Sequence, residues 1–253
     1  AIQYAGQKGF IRHNVFCDNR GGGLGMHLYR QEALYNYDNR VYQNVFCRNH
    51  HGGILISDSA QGHLTGNIFI NNILCRNDGE TGPVQVRVDG LSGYLLTANS
   101  LFGQQAGDMV IDCRGPQSLA AFEAANPTLC VGGLEVDPMF VDEANRDFHL
   151  QAASPLIDKG AFLTQAVGTG SGVTLVVKDA SYFFDGFGVP NVSGDVIQLA
   201  GQTETATVVK VDYANNTLTL DRSLSWSDGQ GVALQYAGSA PDPGAYEHGL
   251  LSP

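Results

Sequence analysis

No apolar run in this 253-residue chain is long enough to span a bilayer, and its start does not read as a signal peptide. Basic residues are few. Fourteen Lys and Arg face 25 Asp and Glu, a net charge of −11, which argues against nucleic acid as a partner. The five cysteines include no Cys-x-x-Cys pair, so the common thiol redox and metal motifs are missing. Helical spacing fits the first half poorly, because Gly, Asn and Asp interrupt every short apolar run.

The charge is unevenly placed. Up to Arg114, nine basic residues balance nine acidic ones, and five of the seven histidines precede residue 64. The remainder carries five basic residues against sixteen acids and supplies the whole net charge. A nearly neutral region bearing His and Arg suits a glycan, including an anionic one.

A short pattern recurs in the first half. Asn14-Val15-Phe16-Cys17 returns as Asn44-Val45-Phe46-Cys47, as Asn72-Ile73-Leu74-Cys75 and, more weakly, as Asn99-Ser100-Leu101-Phe102, at steps of 30, 28 and 27 residues. Such a period means stacked units, each too thin to bury a core alone. A second series runs in step, anchored at Leu24, Ile54, Val84 and Met109, with apolar residues on alternate positions as in a half-buried strand. Strands recurring in one direction stack in parallel, about 4.8 Å per coil. The expected fold is therefore all-β, a parallel β-helix. Asn14, Asn44, Asn72 and Asn99 are expected to stack as one structural ladder, and Asn19, Asn49 and Asn77 as another. Cys17, Cys47 and Cys75 share one repeat position and are expected to stack as small buried thiols, close enough for one pair to oxidise.

The Asn-x-Phe-x-x-Asn coils resemble those of right-handed parallel β-helix proteins of the pectate-lyase-like superfamily. The segments Asp137-Pro138-Met139-Phe140-Val141-Asp142, Asp147-Phe148-His149-Leu150 and Ser154-Pro155-Leu156-Ile157-Asp158-Lys159-Gly160 resemble the closing coil of secreted bacterial members. Pro241-Asp242-Pro243-Gly244-Ala245-Tyr246-Glu247 resembles their usual ending. The resemblance covers about residues 9 to 160 and 240 to 248. It implies a secreted or cell-surface location and a polysaccharide partner, but no single activity, because this scaffold carries lyases, epimerases, glycosidases, adhesins and tailspikes. Alginate and chondroitin lyases of this kind use a Lys–Arg pair, and no lysine lies between Lys8 and Lys159. The Asn-Thr-Asp and Gly-His-Gly motifs of polygalacturonases are absent, as is the Asp-Pro-His-Asp motif of mannuronan epimerases.

Three segments are expected: parallel β-helix over 1–164, a small inserted antiparallel β-barrel of SH3-like size over 165–238, and a closing β-helix segment over 239–253. Five short strands with tight turns mark the insertion. Its aromatics Tyr182, Phe183, Phe184, Phe187 and Trp226 are expected mainly in its core, the other reading being a stacking platform. Cys113 and Cys130 bracket a short helical stretch, and a structural disulfide between them is a candidate. Ala1-Ile2-Gln3-Tyr4 reads like the middle of a coil with no cap before it. Upstream coils, or self-association through this first coil, are expected.

Alternation predicts an outward column of His27, Ser57, Arg87 and Asp112, with Tyr29, Ser59, Asp89 and Arg114 beside it. Arg holds a uronic carboxylate in two-pronged fashion, and His or Tyr moves a proton near neutral pH. The candidate catalytic residues are His27, Tyr29 and Arg87, with His51, Asp58, Asp89, Asp112 and Arg114 binding substrate. No cofactor is required and adjacent His50 and His51 are not expected to share a metal, although Ca²⁺ is a candidate at the Asp142-Glu143-Asn145-Asp147 turn. The leading function is lyase-type cleavage of a uronic-acid-containing polysaccharide. The alternatives are a non-catalytic surface, adhesion or filament scaffold, or a hydrolase using paired aspartates such as Asp58, Asp89 and Asp112.

Overall fold

The computed structural model describes residues 2–27, 36–57, 64–79, 82–103, 109–112 and 115–250. The chain is almost all β and divides into two compact units, one of residues 1–160 with 242–253 and one of residues 161–241.

The first unit is built from three parallel sheets. The first contains Ile2–Tyr4, Leu24–His27, Ile54–Ser57, Val86–Val88 and Val110–Asp112. The second contains Phe10–Arg12, Arg40–Tyr42, Asn67–Ile70, Tyr94–Thr97 and Cys130–Val131, and the third Val15–Cys17, Val45–Cys47, Ile73–Cys75 and Ser100–Phe102. Each strand pairs with its equivalent one repeat away, as in Phe16↔Phe46 and Phe46↔Leu74. These stacked parallel coils are compatible with a β-helix-like solenoid. Alternate side chains from all three sheets meet inside, among them Met26, Ile56, Val41, Phe69, Phe46 and Leu74. Phe16 and Phe46 stack with centroids 4.8 Å apart.

A two-residue turn follows the strands of the second and third sheets. The first residue is left-handed: His13, Gln43, Asn71 and Ala98 at one corner, Asp18, Arg48 and Arg76 at the next, all with φ between 49 and 56°. The second is an asparagine. The backbone N–H and Nδ2 of Asn14 both donate to Asn44 Oδ1 at 3.0 and 3.1 Å. Asn44 does the same to Asn72 at 3.1 and 2.9 Å, and Asn72 to Asn99 at 2.9 and 2.9 Å. The other Nδ2 hydrogen reaches back, from Asn44 to Ile11 O and from Asn72 to Val41 O, each 2.9 Å. Backbone groups that a left-handed turn would strand inside are thereby satisfied. The Asn19–Asn49–Asn77 ladder repeats this pattern. A third ladder, Asn39 to Asn67, was not anticipated.

One register differs from the sequence expectation. Val86, not Val84, pairs with Ile54. Asp78–Gly79 and Gly82–Pro83 form an antiparallel hairpin that makes the corner from Asn77 to Gln85 four residues longer than the equivalent one from Asn49 to Gly53, and Gln85 replaces asparagine at the end of the second ladder, its Oε1 accepting Asn77 Nδ2–H at 2.8 Å.

Beyond the last coil, the helix Leu119–Ala125 adds Leu119 and Phe122 to the core, with Ser118 as its N-cap. A strap from Leu134 to Ile157 then covers the outer face of the third sheet. Its Phe140, Phe148, Leu150 and Leu156 pack with Ala245 on Val45, Cys47, Ile73 and Cys75. Cys47 and Cys75 are thus buried beneath the strap rather than inside the coils, with Cys17 partly buried beside them. Asp242 ties the strap's end to the returning chain, accepting the N–H groups of Asp158 at 2.6 Å and His248 at 2.8 Å.

The second unit is one antiparallel sheet in the order Thr164–Gln165, Gly231–Leu234, Val196–Leu199, Thr205–Asp212, Thr217–Trp226, Gly170–Val176. It curls into a half-barrel, with an Ala166–Val177 bridge between its edges. Tyr182 and Phe183 are in its core, but Phe187 is exposed.

Asn72→Leu is expected to destabilise the first unit by about 3 kcal/mol or more, because it leaves Asn44 and the Val41 carbonyl without their buried partners. Asn14→Ala, at the first coil, is expected to cost about 1 kcal/mol. Chemical denaturation checks both; equal effects at the two positions would contradict this account.

Candidate functional site

The first sheet's outer face carries Arg87 and Asp89 among the residues singled out for chemistry. Its register differs from the predicted column. The row runs Gln3, Gly25, Leu55, Arg87, Ile111, one residue per coil. The adjacent row runs His27, Ser57, Asp89, the last placed by the Asp89 N–H donated to Ile56 O at 3.0 Å. The hairpin causes this shift, because it moves the strand two residues on from the even repeat, from Val84 to Val86, which is the next same-face position.

Four consequences follow for the candidates. Arg87 and Asp89 share the outer face and pair with each other, Nε to Oδ1 at 3.3 Å, both well exposed. Position 27 lies in the row of Asp89, two coils away. Asp112 follows the inward-facing position of Val88 and is only 6% exposed, so it leaves the predicted surface column and is corrected to a buried group. Tyr29, Asp58 and Arg114 lie outside the described residues, as does Ser59.

An open groove of about 430 Å³ runs over this row, lined by Gln3, Gly21, Gly22, Gly25, Leu55 and His51. The glycine run makes it shallow-walled and close to backbone. A Cβ at Gly23 would lie 2.5 Å from the Gly53 carbonyl oxygen, so the chain enters this strand only as glycine. His51 stands at the groove edge on an exposed turn, its ring edge-on to His50 at 5.4 Å. Arg87 follows Leu55 in the same row, about 4.8 Å beyond it. The site therefore combines a glycine-rich floor of mixed polarity with an imidazole at one side and, one coil beyond Leu55, a guanidinium–carboxylate pair. It can lie along an extended polar chain and hold an anionic group at Arg87.

A second polar concentration was missed from the sequence. Arg48 holds Asp18 through two bonds, 2.7 and 3.0 Å, and also reaches Glu143 at 2.9 Å. Arg76 binds Glu143 at 2.6 Å and Asp137 at 3.1 Å, and Arg146 binds Asp18 at 3.1 Å. Three arginines and three carboxylates thus neutralise one another and clasp the strap to three coil corners. The Arg48 hydrogen bond holds the Asp18 carboxyl down at about 2. A cavity of about 760 Å³ opens beside Asp18, Arg48 and Arg146. Nothing in the residue types at positions 48 and 76 marks them as left-handed corners; only their place before a ladder asparagine does.

The candidate Ca²⁺ turn is otherwise occupied. Asp142 caps Asn145 at 3.2 Å, Glu143 serves the arginines, and Asp147 holds His149 Nδ1 at 2.7 Å. Among the described residues no group of three His, Cys, Asp or Glu is placed to hold a metal ion, and no helix is long and apolar enough to cross a membrane.

The disulfide candidate is corrected for its described half. Cys130 is a free, buried thiol, paired in register with Leu96 and turned into the core beside Glu123. Burial, then the Glu123 charge, pushes it up to about 12; Cys113 lies outside the described residues. Cys17, Cys47 and Cys75 are also free thiols in adjacent register. Cys47 is raised, first by its contact with Cys75 and then by burial.

No family model matches the chain, and no curated protein or solved structure matches it either.

Because Asp18 titrates at about 2 in the folded protein against an ordinary 3.8, its stabilisation is fully present above pH 3.8 and is lost as pH falls through 2. After allowance for solvent screening the loss is of order 1 kcal/mol. Unfolding measured across this window is expected to give a shallower acid slope for Asp18→Asn than for the parent. Parallel slopes would show that the clasp contributes nothing.

Proposed function

We propose that this chain is a carbohydrate-active, right-handed parallel β-helix protein of the pectate-lyase-like kind, secreted or held at a cell surface. Its substrate on this reading is a uronic-acid-containing polysaccharide, and its reaction is lyase-type cleavage. The observation that carries the reading is the groove row Gln3–Gly25–Leu55–Arg87, an open channel with a guanidinium one coil beyond its described floor.

In the proposed reaction Arg87 pairs with the uronic carboxylate and stabilises the charge that spreads onto it when the adjacent C5 proton is removed. The electron pair of that C–H bond forms the C4–C5 double bond. The C4–O bond breaks, and the leaving oxygen takes a proton. His27 and Tyr29 are the proposed proton carriers, by residue type and by position 27 lying in the row of Asp89. His51 and Asp89 would contact neighbouring sugar units, and Asp58 and Arg114 keep their proposed binding roles. The burial of Asp112 weighs against the paired-aspartate hydrolase reading, since it withdraws one of the carboxylates that mechanism needs at a separation of roughly 6.5–9.5 Å.

Incubation with alginate, polygalacturonate and chondroitin is expected to generate the ultraviolet absorbance of an unsaturated uronate. Arg87→Ala is expected to lower that rate about 100-fold or more. New reducing ends without the absorbance would mean hydrolysis. Silence on every substrate by a folded sample would favour a non-catalytic scaffold.

A further inference from the structure

The outward column beneath the strap carries three thiols. Cys17, Cys47 and Cys75 hold one repeat position on successive coils, each in direct register with the next. All three turn to the strap side and share one cluster with Val45, Ile73 and Phe148. Neighbouring strands lie about 4.8 Å apart, within the roughly 4.4–6.8 Å between Cα atoms that a disulfide spans.

The three thiols are not equivalent. Cys47 and Cys75 are fully buried, whereas Cys17 is only partly covered. Asp18, the residue after Cys17, lines the open cavity of about 760 Å³ together with Arg48, Glu143 and Arg146. A reagent arriving from solvent therefore meets Cys17 before the other two. Its neighbour in the column is Cys47, whose S–H donates to Glu143 Oε1 at 3.4 Å. Arg48 and Arg76 hold the same carboxylate from either side, at 2.9 and 2.6 Å. Cys75 lies on the far side of Cys47, and Phe102 follows it as the next member of the column. Burial, then the Asp18 charge, raises the Cys17 thiol against the opposing pull of Arg146 and Arg48. Thiolate is thus the minor form near neutral pH, and attack by Cys17 quickens as the pH rises.

We propose that Cys17 and Cys47 are a redox modification site, closed by a small-molecule disulfide into a reversible bond between neighbouring coils. The Cys17 thiolate attacks one sulfur of the reagent, whose S–S bond breaks and releases the first small thiol. Cys47 then attacks the Cys17 sulfur of the mixed disulfide. The Cys47 proton passes to Glu143 and on to solvent, and the second small thiolate leaves and is protonated there. Two protein thiols and one small disulfide become one protein disulfide and two small thiols. The bond closes a span of 30 residues. It fixes the corner of Asp18 and Asn19 to that of Arg48 and Asn49, which an ion pair and a ladder bond already join. Cys75 stays reduced beneath the strap. This site is separate from the groove on the first sheet and does not depend on the lyase reading.

The test is incubation of the folded full chain with oxidised glutathione at mildly alkaline pH. Acid quenching, alkylation in denaturant and peptide mapping follow, for the parent, Cys17→Ser and Cys75→Ala. The parent is expected to lose two free thiols and to yield a Cys17–Cys47 cross-linked peptide that dithiothreitol reverses. Cys75→Ala is expected to form the same cross-link. Cys17→Ser, changed at a partly exposed position and checked for an unaltered melting temperature, is expected to oxidise at Cys47 about 100-fold or more slowly, because the entry thiol is gone. The proposal is overturned if the folded parent keeps all its thiols while free cysteine in the same mixture oxidises, or if glutathione stops as a stable adduct on Cys17. It is equally overturned if Cys47 pairs with Cys75, or if Cys47 oxidises as fast in Cys17→Ser as in the parent.

Discussion

A corner asparagine bonded to the corner asparagine of the next coil is the interaction on which the first unit depends. Each turn is made by one left-handed residue, often one with no preference for that conformation, such as Gln43 or Arg48. The turn points backbone N–H and C=O groups away from the strand ladders into a region without water. The asparagine amide supplies what is missing, accepting two hydrogens from one coil and donating in both directions along the stack. Its side chain is too short to do this unless the coils are in register. The ladder therefore holds the register of the sheets on either side, and with it the assignment of every side chain to an inner or outer face.

The outer faces then differ by what covers them. The third sheet presents Val45, Cys47, Ile73 and Cys75 outward, and the strap buries them. The strap's edge is clasped by Arg48 and Arg76 through Glu143 and Asp137. The first sheet instead presents Gly25, Leu55 and Arg87, with a groove along them. The fold thus places its densest charge network at the closure, while Arg87 and Asp89 stay exposed on the outer face of the first sheet.

Much of this was legible in the sequence, and the misses have physical causes. The repeat of Asn14, Asn44, Asn72 and Asn99 announced both the stacked coils and the ladder, because only in-register stacking makes such a spacing useful. The Asn39 and Asn67 pair shares the 28-residue step of Asn44 and Asn72, but the apolar triplet Ile68-Phe69-Ile70 after Asn67 has no match after Asn39, where Arg40 opens the strand. The column containing Arg87 is displaced because the inserted hairpin looks like part of an even repeat; only the pairing of Val86 with Ile54 exposes it. That error carried Asp112 to the surface, where it does not lie. The clasp could not be read at all, since it joins residues from Asp18 to Arg146 that are far apart in the chain. Phe187 looked like core because most aromatics in a small barrel are, and its exposure follows from a loop closure that no local pattern declares.

Hydrogen exchange resolved to single amides tests the central claim most directly. The N–H groups of Asn44, Asn49 and Asn72 are bonded to side-chain oxygens, not to strand carbonyls, so an ordinary surface turn would leave them quick to exchange. If the asparagine ladders hold the coils, these amides exchange as slowly as those of the neighbouring strand residues Phe46 and Leu74, and open with them as one unit. Fast exchange at the corners beside protected strands would mean that the sheets keep their register without the ladders, and would contradict the account.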